Sequence, residues 1–175
     1  MDNNIINLVN KLGERIGKIN KLEAHIDGKL HEAFSIFIFN TKKELLIQQR
    51  AREKYHSGGL WSNTVCSHPN FNEEIELTVH RRLNEEMGFD CKLKEVFSFL
   101  YKAEHLANNL IENEFDHVFI GHINKIKIKP NLNEICDYKW VSLDNLRRDI
   151  KTNPKRYTER FKIILNSKEF QKQTK

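Results

Sequence analysis

Apolar positions along the chain follow two different periods. Up to residue 65 they come in short dense runs. Ile5–Val9 predicts a strand, and a polar turn with Gly13 follows it. Residues 18–25 are polar and read as irregular or briefly helical. Residues 31–40, rich in Phe and Ile, predict a buried strand, and Glu44–Arg50 predicts a second. The turn Asn40-Thr41-Lys42-Lys43 joins these two as a hairpin. A basic loop over 51–57 and the pair Gly58-Gly59 lead to a strand over 60–65.

The period then changes. Ile75, Val79, Leu83 and Met87 recur every four residues, which predicts a helix over 73–87. Asn72 is placed to cap it, Glu73 and Glu74 suit the positive end of its dipole, and Gly88 stops it. Two β-like stretches follow, 92–102 and 114–129, with a polar loop through Asn108-Asn109 between them. A short strand over 138–141 precedes a helix over 143–150 capped by Ser142, and residues 161–165 belong to a last helix. Strands with an early and a late helical layer predict an α+β fold, a mixed sheet packed between helices, in one domain spanning 1–175.

Composition narrows the function. A chain of 175 residues buries a proper core without disulfide staples. The mean hydropathy is −0.63. No apolar run approaches the ~18 residues of a membrane span. Lys and Arg number 29 against 24 Asp and Glu, a net charge of +5 that invites nucleic acid as a partner. No long basic run supports that partner, and Lys125, Lys127 and Lys129 read as one solvated strand face. Three cysteines, an odd number, suit a reducing compartment. Met1-Asp2-Asn3-Asn4 shows no basic region before an apolar core, so no secretory signal is expected. The expected protein is cytoplasmic and monomeric, with Cys91 and Cys136 as packing residues.

Four clusters carry candidate chemistry. Cys66 and His68, two apart at a strand end, point to one side, and a thiol near a cation is a usable acid or base. The plain alternative is a small buried hydrophobe beside a surface His. Arg81 with Glu85 and Arg82 with Glu86 are four apart on the helix, either surface ion pairs or a carboxylate edge for a hard cation. Glu112 and Glu114 face the same way on a strand, which is unfavourable unless a proton or a metal holds them. His25 and His31 can reach one metal across a loop, although such a pair is often incidental.

Taken together, residues 61–69, the 73–88 helix and Glu112-Asn113-Glu114 resemble type 1 isopentenyl diphosphate isomerase, of the Nudix superfamily, from about Asn7 to Leu165. The Nudix box is G-x5-E-x7-R-E-U-x-E-E-x-G-U. Ser67 stands at its first Gly, and Glu73, Arg81, Leu83, Glu85, Glu86, Gly88 and Phe89 fit. Arg82 replaces a Glu that hydrolases use among their metal-binding carboxylates, which argues against a diphosphate hydrolase acting on a nucleotide or prenyl diphosphate, the alternative activity.

The resemblance implies a Nudix-type α/β/α sandwich and an allylic or homoallylic diphosphate substrate. It implies a metal site of His25, His31, His68, Glu112 and Glu114 for Mn²⁺, Mg²⁺ or Zn²⁺, and a diphosphate-bridging Mg²⁺ on Glu86. Lys21, Arg50, Lys54, Arg82 and Ser67 would bind the diphosphate. Cys66 and Glu114, the latter helped by Tyr101, would move the protons. Phe34, Trp61, Phe97 and Phe99 are either pocket lining or plain core. The family usually has a Trp facing the carbocation where this chain has Arg160. Either Arg160 points to solvent and Tyr157 or another ring serves, or the enzyme is slow, or the pocket has turned to another diphosphate.

Overall fold

The computed structural model describes residues 4–54, 57–105 and 109–174. Among these residues nine strands form one mixed sheet. They are β1 (Ile5–Val9), β2 (Arg15–Asn20), β3 (His31–Phe39), β4 (Glu44–Arg50), β5 (Trp61–Ser62), β6 (Val65–Ser67), β7 (Leu93–His105), β8 (Leu110–His122) and β9 (Ile135–Ser142). The helices are α1 (Lys21–Asp27), α2 (Ile75–Met87), α3 (Leu143–Thr152), α4 (Glu159–Asn166) and α5 (Lys168–Gln173).

β3 is the pivot. It runs parallel to β8 along its whole length, from His31 opposite Glu114 to Phe39 opposite His122. On its other edge it meets β6 and touches β1 and β4 by single pairs. Every residue of β3 is buried, because helices cover both faces. Alternation sorts them. Phe34, Ile36 and Ile38 pack with Val79, Leu83 and Met87 of α2. Phe37 and Phe39 pack with Leu146 of α3, Phe161, Ile164 and Leu165 of α4, and Phe170 of α5. The expected sandwich is present.

Local expectations fare unevenly. Residues 18–25 are neither irregular nor only helical, since β2 runs straight into α1, whose N-cap Asn20 accepts from the Leu22 amide. The turn after β3 forms, but β3 and β4 diverge at once and β4 takes β9 as its long partner. The strand over 60–65 is two short pieces. α2 starts at Ile75 with Glu74 at the cap position, because Asn72 sits at φ +61 with its amide bound to Asn7 Oδ1. β8 covers 110–122, and Lys125, Lys127 and Lys129 lie in the following loop rather than on a strand. Asn108 of the expected loop lies outside the described residues. Cys136 is exposed, not packed, with Sγ against the carbonyls of Gln49 and Arg50. No described helix is long and apolar enough to cross a membrane.

Candidate active site

The face of β3 and β8 that meets α4 changes character along its length. Its far half is the apolar wall of Phe37, Phe39, Val118 and Ile120. Its near half carries His31, Ala33 and Ser35 from β3 and Glu112, Glu114 and Asp116 from β8, all buried. Register aligns the chemistry. His31 stands opposite Glu114, Tyr101 of β7 stands opposite Glu114 from the other side, and Cys66 of β6 stands opposite Ser35. Paired residues share a sheet face. Cys66 and Glu114 therefore lie on one face of the sheet to either side of β3, near the small Ala33 and Ser35 of that strand.

Four ligand-type side chains converge at this end. Nε2 of His31 lies 3.2 Å from Nε2 of His68. Glu114 Oε1 lies 3.2 Å from His68 Nε2, 3.6 Å from His31 Nε2 and 3.9 Å from His25 Nε2. The backbone sets two of the rings. His25 Nδ1 faces the Lys21 carbonyl at 2.7 Å and His31 Nδ1 faces the Lys29 carbonyl at 2.7 Å. Nδ1–H donates in each, which turns Nε2 toward Glu114. Gly28 makes the approach possible. It ends α1 in the left-handed region, φ +62, and turns the chain so that His31 follows His25 onto the same group.

Lone pairs and a carboxylate oxygen so close repel one another unless a cation or a proton sits among them. Ligand atoms about 2.0–2.2 Å from one ion stand roughly 3–4 Å apart, and the closest pairs here match that. The group of His25, His31, His68 and Glu114 can hold a metal ion. Glu112 is not one of the four. Its Oε2 lies 3.0 Å from the Tyr101 hydroxyl, which also lies 2.6 Å from Glu114 Oε2.

Burial depresses the His25 and His68 imidazoles, keeping them neutral, which suits a ligand. Burial alone would raise Glu114, but Arg160 with His31 and His68 holds it well below the usual carboxylate range. Burial pushes the Tyr101 hydroxyl well up, so it remains protonated. Asp116 is pushed up to about 7 by burial, with Arg160 opposing. Its Oδ2 accepts from Ser35 Oγ at 2.8 Å.

Next to this group is a cleft lined by cations. Lys21 opens α1, Arg50 ends β4, Lys54 follows in the loop and Arg82 projects from α2, and all four line it with Cys66, Ser67 and Glu86. Arg50 Nη1 lies 3.7 Å from Cys66 Sγ. Lys21 is brought down to about 8, first by burial and then by Arg82, Lys54 and Arg50. Arg82 donates to Glu86 Oε1 at 2.6 Å, a half-buried contact in which Glu86 is the buried partner. Burial pushes the Glu86 carboxyl up, with Arg82 opposing. On the outer face of α2, Arg81 grips Glu73 through two bonds of 2.7 Å and also reaches Glu85. Glu73 thus acts as an ion-pair partner, holding the Asn70 amide as well, and not as a dipole residue.

Arg160, in the first turn of α4, points inward. It is 4% exposed and its Nη1 donates to Glu114 Oε2 at 2.7 Å. Tyr157 does not replace it in the cleft, since its ring packs on Phe161 and its hydroxyl bonds Asp149. Phe34, Trp61, Phe97 and Phe99 belong to the two apolar clusters. Sequence reasoning overlooked two acids. Asp116 was legible as the next step of the same-face series Glu112, Glu114, Asp116. Glu134, which pairs with Lys54 and lies 3.7 Å from Arg82, gave no signal.

The NUDIX domain family matches residues 29–161. An isopentenyl-diphosphate Delta-isomerase 2 from Photorhabdus laumondii is 53% identical over 95% of this chain and 93% of its own length. An isopentenyl-diphosphate Delta-isomerase from Pectobacterium atrosepticum is 43% identical over 89% of this chain and 86% of its own. The chain belongs to the Nudix family, among its isopentenyl-diphosphate Delta-isomerases. Solved Nudix structures agree on the fold. A MutT protein of Methanosarcina mazei superposes with a TM-score of 0.66 at 20% identity, covering 83% of this isomerase-family chain and 96% of its own.

Proposed function

We propose that this protein interconverts isopentenyl diphosphate and dimethylallyl diphosphate by moving one proton on and another off. The observation that carries the reading is one cleft lined by Cys66 and five cationic side chains, Arg160 among them, with the His/Glu group beside it and reaching it through His68. Lys21, Arg50, Lys54 and Arg82 suit the diphosphate, by point charges and guanidinium forks. Ser67 lines the same cleft. Glu86 would hold a Mg²⁺ bridging to the diphosphate, and His25, His31, His68 and Glu114, with Glu112 beside them, would hold Mn²⁺, Mg²⁺ or Zn²⁺. An ion there supplies positive charge that favours ionised ligands.

The side chains divide the proton work. Glu114, bonded to Tyr101 and held ionised by Arg160 and the imidazoles, would first take up a proton and then pass it to the terminal CH₂ carbon, leaving positive charge on the tertiary carbon. Cys66, as thiolate with Arg50 as its counter-charge, takes a proton from the neighbouring methylene carbon, and the double bond moves inward. The reverse sequence serves the reverse reaction. Arg160 puts a fixed positive charge near the developing cation. The carboxylates of Glu112 and Glu114, both on Tyr101, oppose it from the same side.

The test is incubation with isopentenyl diphosphate and Mg²⁺, following dimethylallyl diphosphate. Cys66→Ala is expected to lose about 10²- to 10⁴-fold in kcat, the usual scale for a missing acid or base. Equal product from wild type and Cys66→Ala refutes the reading. Phosphate release that is insensitive to Cys66→Ala would point to hydrolysis instead.

A further inference from the structure

Arg160 is the least expected member of the site. A buried guanidinium is rare unless it is paired. Its placement is built by several contacts. The Thr158 amide donates to the Trp61 carbonyl at 3.0 Å, and Thr158 Oγ1 lies 3.0 Å from Ser62 Oγ. These tie the start of α4 to β5, and the next turn delivers Arg160 over the polar half of the sheet face. The groups facing it are Cys66, Glu114, Tyr101, Glu112 and Asp116.

The two oxygens of Glu114 have separate partners. Oε1 faces the three imidazoles, and Oε2 is shared by Arg160 and Tyr101. Arg160 thus approaches the carboxylate from the side opposite the converging Nε2 atoms. Two consequences follow from charge alone. Without an ion, Glu114 would be a buried carboxylate beside the uncharged imidazoles of His25 and His68, and Arg160 supplies its counter-charge. With an ion on the imidazole side, two cations share one carboxylate and repel each other at short range in a water-poor site.

We propose that Arg160 is a positioning residue of the metal-binding group. It is a built-in counter-cation that keeps Glu114 in place when no ion is bound and lowers the affinity for the ion by competing for that carboxylate's charge. The proposal rests on the reading of His25, His31, His68 and Glu114 as a metal site. It predicts an opposite pair of effects in one variant, a weaker metal-free fold and a tighter hold on the metal. A merely structural Arg would give a weaker fold and a weaker site.

The experiment uses full-length wild type, Arg160→Gln and Arg160→Lys, each stripped with a chelator. Mn²⁺ or Zn²⁺ binding is measured by calorimetry, and thermal unfolding is followed with and without the ion. Arg160→Gln is expected to melt below wild type when stripped, to recover most of the difference with the ion, and to bind the ion about 10- to 100-fold more tightly. Arg160→Lys, which keeps the charge, is expected to fall between the two. If stripped Arg160→Gln is unfolded but refolds when Mn²⁺ is added, the proposal stands. If it is unfolded with or without the ion, Arg160 is only structural and the proposal fails. Equal or weaker binding by folded Arg160→Gln also overturns it and leaves the metal-site reading intact. Absence of binding in wild type and in both variants overturns both.

Discussion

Lys21 makes the cationic cleft sensitive to pH in a way that can be worked through. Burial strips water from its ammonium, and Arg82, Lys54 and Arg50 crowd it further, which brings its pKa from 10.5 to about 8. Protonated Lys21 is about 90% of the free enzyme at pH 7 and about 10% at pH 9. If the diphosphate needs that charge, kcat/KM falls about tenfold between these two pH values. An ordinary lysine would still be charged at pH 9 and would leave kcat/KM flat. The assay is kcat/KM for isopentenyl diphosphate from pH 6 to 10 at fixed ionic strength and saturating Mg²⁺, since kcat/KM reports groups of the free enzyme. Lys21→Arg keeps the charge through this range and is expected to remove the fall above pH 8 while retaining binding. The reasoning is refuted if wild type stays flat to pH 9.5, or if Lys21→Arg shows the same fall.

Two predictions concern stability. Glu73→Gln loses the two-bond contact to Arg81 and is expected to cost about 1–2 kcal/mol in urea unfolding. Its folded pKa is depressed, since the Arg81 and Asn70 contacts outweigh burial. Its contribution is therefore complete above the unfolded value near 4.5 and fades as the pH falls below it, and Glu73→Gln and wild type are expected to converge there. Asp116 has the opposite sign. Its folded pKa of about 7 lies above its ordinary value of 3.8, so the folded state holds a proton that the unfolded state has lost between those values. Metal-free wild type is expected to lose stability as the pH rises from about 4 to 7, and Asp116→Asn to show a flatter profile. Parallel profiles would contradict the burial argument.

What was legible in the sequence follows from how local each signal is. The α2 stripe and the Gly88 stop are intrahelical features, and the structure agrees with both. Lys21, Arg50, Lys54 and Arg82 come together in one cleft with Cys66, Ser67, His68 and Glu86, and a matched family pattern is what marked those scattered positions. The misses depend on long-range pairing. The turn at Asn40 is local, but whether β4 stays beside β3 depends on β9, which lies far along the chain. Asn72 was a fair cap by residue type, yet its amide is held by Asn7 from β1. Glu134 reaches the cleft through a loop whose course has no periodicity to read. The inward turn of Arg160 depends on α4 being tied to β5, a contact between segments far apart in sequence.

The ligand group also bears on the order of folding. His25 and His31 are near neighbours, but His31 and His68 are 37 residues apart and His68 and Glu114 are 46 apart. An unfolded chain can offer an ion only the first pair. The complete group requires the parallel pairing of β3 with β8, and non-local pairings of this kind close slowly because loop entropy must be lost before contacts form. Capture of the ion by all four side chains should therefore be among the last events of refolding. A metal added during refolding would act mainly by slowing unfolding, as a late clasp on β3 and β8, with little influence on the early steps.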